Sequence, residues 1–324
     1  MTADHVGRVE YDRTGGPEVL VWRAAPLPPP GPGEVRIRVR AASVNPIDGK
    51  IRAGLLPPLP LAFPAQTGRD GMGVVTACGP GVDPSWQGRR VAFLAPRGAA
   101  GTWAEAVNLP AAVLAPVPDG VDDLAAAALP LAGLSAAAVL ALGGIGPGRA
   151  EAVPVGPAAG PRVLVHAAAG GVGRIAVQLA RLAGAEVHAT ASSASRPALE
   201  ALGVARVWAY DTEDFTALRD VDLVVDLMGG AVHERSHAVL RPGGLIACLN
   251  AAPFTDRSAE HGTRIARAEV APDPAVLSRL LALVAEGRLD PGPAAVRPAR
   301  DFAEAQRLSD GGHLRGKLVL DFRG

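Results

Sequence analysis

Residues 162–193 of this 324-residue chain, RVLVHAAAGGVGRIAVQLARLAGAEVHATASS, restrict its fold more than any other stretch. Val163, Leu164 and Val165 form a short unbroken apolar run, the pattern of a strand covered on both faces in a parallel sheet. The run meets a glycine turn at Gly170, Gly171 and Gly173. A helix follows, because Ile175, Ala176, Leu179, Ala180 and Ala183 recur at helical spacing. A second strand takes up residues 186–191. Strand, glycine turn, helix and strand within about thirty residues make a dinucleotide-binding unit.

The glycines answer physical needs. A pyrophosphate can sit on the amide N–H groups at a helix start only if no side chain stands between them. Gly170 and Gly171 admit the phosphates, Gly173 lets the helix pack closely on the strand, and the cofactor-binding turn is read as Ala169, Gly170, Gly171, Val172 and Gly173. In the usual GxGxxG the first glycine would fall at Ala168, so this copy departs there. A tight turn in an ordinary α/β protein is the alternative, and the flanking strand and helix argue against it.

The end of the second strand selects the cofactor. An NAD site usually offers a carboxylate about twenty residues past the glycines to hold the ribose 2′-hydroxyl. Here Thr190, Ala191, Ser192 and Ser193 occupy that place, and Arg196 follows. Hydroxyls with a guanidinium suit a 2′-phosphate, which favours NADPH over NADH. Ser192 and Ser193 could instead cap the helix that begins near Pro197, and both roles can coexist.

Formal net charge is zero and no basic patch is interleaved with aromatics, so nucleic acid is not an expected partner. No apolar run approaches the roughly twenty residues that span a bilayer, and the polar N-terminus lacks a signal peptide's apolar core. Cys78 and Cys248 lie far apart and suggest no disulfide framework. A cytoplasmic protein without membrane attachment is expected.

The chain changes character twice. Up to about residue 125 it alternates apolar and polar over short spans broken by Pro and Gly, as in EVRIRVR at 34–40, which predicts a β-rich domain. Strand–helix units follow to about 272, with strands expected at 162–165, 186–190, 222–226 and 244–249. Residues 275–286 read as an amphipathic helix, and 317–322 as a strand returning to the first domain. Residues 143–161, rich in Pro, Gly and Ala, read as a solvent-facing insertion.

Six stretches carry a family resemblance: AASVNPIDGKIRAG at 41–54, GRDGMGVV at 68–75, GTWAEAV at 101–107, AAAALPLAGLSA at 125–136, VHAAAGGVG at 165–173 and GHLRGKLVL at 312–320. In that order they resemble a zinc-free medium-chain dehydrogenase/reductase of the quinone oxidoreductase or enone (enoyl) reductase type. The resemblance implies an α/β fold, a GroES-like β-rich domain (1–125 and 273–324) around a Rossmann doubly wound parallel sheet (126–272), with the active site in the cleft between them. The zinc branch carries Cys and His–Glu where this chain has residues 44–46 and 68–70, and a lobe of several cysteines that two cysteines cannot supply. No metal is expected, and Asp70 reads as a structural hydrogen-bond acceptor.

Without a Lewis acid the acceptor should already be electron-poor. Hydride delivered to the β-carbon of an enone, or to a quinone, pushes charge onto a distant oxygen that one well-placed donor can stabilise. The resemblance places the pocket floor at residues 45–52, with Asn45 touching the nicotinamide ribose or substrate. Lys50 stands where many quinone reductases have tyrosine. It is one of only two lysines among 32 basic residues, the other being Lys317. An ammonium can hydrogen-bond an enolate oxygen or deliver a proton; alternatively Lys50 is a surface lysine paired with Asp48. Lys317 is assigned to the cofactor or the domain junction.

Further positions come from the resemblance alone. Ser135 matches a residue at the cofactor's phosphate–nicotinamide end, and Tyr210 a tyrosine near the adenosine 2′-phosphate, or else a half-buried boundary residue of the sheet. Met228, with Gly229 and Gly230, ends the fourth strand, and Leu249 and Asn250 end the fifth, both on the nicotinamide side. The expectation is an NADPH-dependent reductase of a carbon–carbon double bond conjugated to a carbonyl, acting through Lys50 and Asn45. A quinone reductase is the nearest rival, and a non-catalytic NADPH-binding protein a rival of another class. A homodimer is expected from the relatives' habit of pairing.

Overall fold

A computed structural model of the chain describes residues 4–56, 62–146, 160–249, 254–312 and 314–324. They form two compact units, Met1–Leu131 with Ala271–Gly324, and Ala132–Val270. The divisions expected at 125/126 and 272/273 compare with 131/132 and 270/271 in the structure.

Along the first unit run β1 (Asp4–Tyr11), β2 (Val21–Leu27), β3 (Glu34–Val44), the helix α1 (Pro46–Arg52), β4 (Ala65–Gln66), β5 (Asp70–Cys78), β6 (Arg90–Leu94), β7 (Ala106–Pro110), β8 (Leu114–Pro116) and the helix α2 (Asp123–Ala128). The alternation in β3 is literal. Val35, Ile37 and Val39 are buried, while the arginines between them turn away from that core. They pack with Phe93, Trp103 and Leu109 in the unit's apolar centre.

Helix α3 (Pro130–Leu142) crosses into the second unit. That unit continues with β9 (Arg162–Val165), α4 (Gly171–Leu182), β10 (Glu186–Ala191), α5 (Arg196–Glu200), β11 (Arg206–Ala209), β12 (Val221–Asp226), α6 (Gly230–Ser236), β13 (Leu240–Cys248), α7 (Ser258–His261) and β14 (Arg264–Arg267). Its six strands lie in the order β11-β10-β9-β12-β13-β14, every pairing parallel. Counted within the unit this is 3-2-1-4-5-6, the doubly wound order. Val163, Leu164 and Val165 are fully buried in its central strand. Two edge strands, β11 and β14, were not anticipated, and β13 starts four residues before the expected Gly244. Most of the proposed insertion at 143–161 lies outside the described residues.

The chain returns to the first unit through α8 (Pro274–Ala285), β15 (Ala295–Pro298), α9 (Phe302–Asp310) and β16 (Leu318–Asp321). Strand β16 pairs antiparallel with β3, Leu318 opposite Val44 and Leu320 opposite Ala42. That register sets Lys317 beside the start of α1. No described helix is long and apolar enough to cross a membrane.

Candidate functional site

The carboxyl edge of the parallel sheet collects most of the predicted cofactor residues. Beyond β9 the chain turns through Ala168 and Ala169 into α4, with Gly170 as the N-cap. A glycine cap brings no side chain to the first-turn amides, which leaves them to a ligand. At Gly173 a Cβ would stand 2.3 Å from the Ala167 carbonyl oxygen and 2.7 Å from the Ala168 Cα, so the helix sits on the turn at a distance only glycine allows. Gly170 has more room, with 3.3 Å to the nearest atom. Gly171 and Val172 open the first turn of the helix. A bare helix start against a backbone-lined turn fits a dinucleotide's pyrophosphate.

Beside it, β10 ends at Ala191 and is followed by Ser192 and Ser193. Neither serine caps the following helix through its side chain, which corrects the capping alternative. A short 3-10 turn intervenes, and α5 begins at Arg196 with Ser195 at its N-cap. Ser193 is held instead by Asp211: its N–H donates at 3.0 and 3.2 Å and its hydroxyl at 2.6 Å. Arg196 donates to Glu213 at 2.9 Å. Tyr210 is 59% exposed, not half-buried, and its N–H joins the ends of β11 and β10 through Ala191 O at 3.1 Å. Neither Asp211 nor Glu213 was read from the sequence as part of this site, because the acidic position was sought at the end of β10 and not after β11.

On the other side of β9, Asp226 closes β12 and shapes the next turn. Its Oδ1 accepts from the N–H groups of Met228 and Gly229 at 2.9 and 2.8 Å, and its Oδ2 contacts His233 Nδ1 at 2.7 Å. The Leu249 N–H reaches Asp226 O at 3.4 Å, so the ends of β12 and β13 lie together. His166, buried, lies 2.9 Å from both the Thr190 and Ser236 hydroxyls. Burial pushes its pKa down to about 4, so it is a neutral hydrogen-bonding link between β10 and α6 at pH 7. The sequence signal for this network was an Asp two residues ahead of a turn and a Gly pair, DLMGG, which marks an Asx turn. Asn250 lies outside the described residues. Ser135 is buried on α3, 6% exposed.

The first unit holds a second polar cluster, built on α1 and β16. Asn45, expected to touch the nicotinamide ribose or substrate, lies inside this cluster. It is 4% exposed and both ends of its amide are committed: Nδ2 donates to Asp70 Oδ1 at 2.8 Å, and Oδ1 accepts from the Lys317 ammonium. Lys317 also donates to Val44 O at 3.2 Å, so its ammonium is held inside this unit. Asp70 is the acceptor it was read to be, taking the Leu131 N–H at 2.9 Å on its other oxygen. Asp48 accepts from the Asn45 N–H at 2.9 Å, and among the described residues its Oδ1 has no partner. Burial pushes Asp48 up to about 7, raises Asp70 and lowers Lys317.

Lys50 is therefore not paired with Asp48, whose carboxylate faces inward. It is exposed on α1, and its ammonium has no hydrogen-bond or ion-pair partner among the described residues. The helix beneath it is fixed: Arg52, 2% exposed, donates to Asp310 of α9 at 2.7 Å.

The donor chemistry around Asn45 and Asp70 does not suit zinc. It offers neither thiolate nor imidazole, its carboxylate is already hydrogen-bonded, and an ammonium stands one residue away.

Residues 31–119 match the family model of the alcohol dehydrogenase GroES-like domain, and residues 202–320 that of the zinc-binding dehydrogenases. A mycocerosic acid synthase-like polyketide synthase of Mycobacterium tuberculosis is 32% identical over 303 residues, covering 87% of this chain but 14% of that protein. The chain thus spans only a small part of the length of the first curated relatives it matches. Among solved structures, the quinone oxidoreductase of Coxiella burnetii superposes with a TM-score of 0.88 at 30% identity, over 99% of this chain and 100% of that one. The Escherichia coli quinone oxidoreductase complexed with NADPH gives 0.85 at 26% identity, over 97% and 99%. A β-rich unit, a 3-2-1-4-5-6 parallel sheet with its glycine turn, and relatives matched end to end leave one conclusion: the chain belongs to the medium-chain dehydrogenase/reductases of quinone oxidoreductase type, oxidoreductases that use a nicotinamide cofactor.

Proposed function

We propose that this protein is an NADPH-dependent reductase that saturates a carbon–carbon double bond conjugated to a carbonyl, without a metal. The observation that carries the reading is the donor set around Asn45 and Asp70, which suits an ammonium and offers zinc no ligand beyond oxygen. A reductase lacking a Lewis acid serves best on an acceptor that is already polarised.

Gly170, Gly171 and Gly173, with the amides of Ala169 and Val172, would hold the pyrophosphate at the start of α4. Ser192, Ser193 and Arg196 would hold the 2′-phosphate, with Tyr210 beside them, and the turns at Met228 and Leu249 would border the nicotinamide. Bound NADPH supplies a hydride to the β-carbon. Lys50, exposed and with its ammonium free of internal partners among the described residues, would donate to the carbonyl oxygen as it takes the charge of an enolate. A proton then reaches the α-carbon, from Lys50 or through water. Asn45 and Lys317 act from beneath, fixing the start of α1.

Quinone reduction is the second reading, favoured by the solved relatives that are named quinone oxidoreductases. Both readings are compatible with a homodimer in the cytoplasm. Anaerobic NADPH oxidation with a small enone and a para-quinone, side by side, separates them. Faster enone turnover with a saturated ketone as product supports the proposal, and turnover of the quinone alone sinks it.

A further inference from the structure

The turn after β10 meets the turn after β11 through an internal set of charges. Asp211 takes three contacts from Ser193, and Glu213 takes Arg196 at 2.9 Å and Arg206 at 3.5 Å. Two guanidinium groups face two carboxylates, so the constellation is formally neutral as it stands. The Ser193 hydroxyl draws the Asp211 pKa below the usual carboxylate range, with Arg196 adding to the effect, and the Ala209 N–H does the same for Glu213. Both are ionised at neutral pH.

We propose that Asp211 is a specificity-determining residue for the cofactor's ribose, because its carboxylate already occupies the Ser193 donors that a 2′-phosphate would use. The proposal rests on reading the Ser192–Arg196 turn as the 2′ end of the nucleotide site. A phosphate entering there must displace Asp211 from the Ser193 N–H and hydroxyl, and it approaches a cluster with no net positive charge to receive it. A ribose 2′-hydroxyl meets the opposite situation, since it can donate to the same carboxylate. Asp211 therefore holds back the preference for phosphate that Ser193 and Arg196 would otherwise confer. Glu213 is anchored differently: its Oε2 also accepts from the Ala209 N–H at 2.9 Å, which ties it to the strand, while Asp211 is exposed.

The test is calorimetric titration of the full, cofactor-free chain with adenosine 2′,5′-bisphosphate and with 5′-AMP, which differ only in the 2′-phosphate. Asp211→Asn keeps an acceptor for Ser193 and removes the charge. It is expected to tighten the bisphosphate about tenfold while 5′-AMP stays within about twofold. Asp211→Ala removes the acceptor as well and should move the same ligand in the same direction. Bisphosphate affinity unchanged or weakened in both variants overturns the proposal. The wild-type affinity ratio is a separate measurement: equal binding of the two nucleotides would end the NADPH reading, while the response to Asp211→Asn still decides the role of Asp211.

Discussion

Lys317 and Asn45 are joined by a hydrogen bond inside the first unit, where they are 5% and 4% exposed. The amide passes the contact on to Asp70, so one neutral side chain bridges a buried ammonium and a buried carboxylate. Such a set is stable only while complete, because removing one member strands the other charge in a poorly solvated interior. Lys317→Met takes the buried ammonium away from Asp70 and Asp48. It is expected to cost about 3–5 kcal/mol, read as a lower urea midpoint. A loss under about 1 kcal/mol would show the cluster to be better hydrated than its burial implies.

Asp48 gives the cluster a pH signature. Its folded pKa, about 7, lies above the ordinary 3.8, because burial outweighs the Asn45 N–H, Lys317 and Arg69. The sign follows from proton binding. Stability from this group is fully present below pH 3.8, where folded and unfolded forms are both protonated, and is lost as pH rises through 7. Relative to wild type, Asp48→Asn should gain stability across that window at up to about 1.4 kcal/mol per pH unit, flattening above pH 7. Denaturation midpoints from pH 4 to 8 measure the difference, and parallel curves for the two proteins would contradict it.

Long-range pairing divides what the sequence revealed from what it hid. The glycine turn was legible because its requirement is local: Gly173 faces Ala167 and Ala168, only a few residues away. The alternation of β3 and the apolar run of β9 were legible for the same reason. The internal partners of Asn45 were hidden, because Asp70 and Lys317 are 25 and 272 residues away. Asp211 was hidden likewise, 18 residues beyond Ser193 and in the turn after a strand too short to stand out. The edge strands β11 and β14, four residues each, carry too little pattern to be told from loops.

The two glycines of the turn should respond unequally. At Gly173 an added methyl would meet the backbone of Ala167 and Ala168, which cannot move without dragging β9 and α4 apart. Gly173→Ala should cost about 1–3 kcal/mol and abolish measurable NADPH binding. Gly170→Ala meets its nearest atom at 3.3 Å and should fold normally, with weaker nucleotide binding through a crowded helix start. Fluorescence titration of NADPH, alongside thermal melts of both variants, makes the comparison. Equal behaviour would mean that the turn relaxes more readily than its geometry suggests.

Lys50 separates chemistry from structure more cleanly than any other residue in the proposal. It is exposed, carries no internal ion pair among the described residues, and stands on a helix held by Arg52 and Asp310. Lys50→Ala should therefore leave the fold, the melt and NADPH binding unchanged. If its ammonium stabilises the enolate oxygen or supplies the proton, kcat on a good enone should fall about 10²-fold or more. Lys50→Arg keeps the charge but broadens and lengthens the donor, and it should recover only part of the loss. A lysine that merely attracts substrate would raise KM with kcat intact, and that loss would fade with salt. An alanine variant within twofold of wild type would remove Lys50 from the mechanism and leave the oxyanion to another donor.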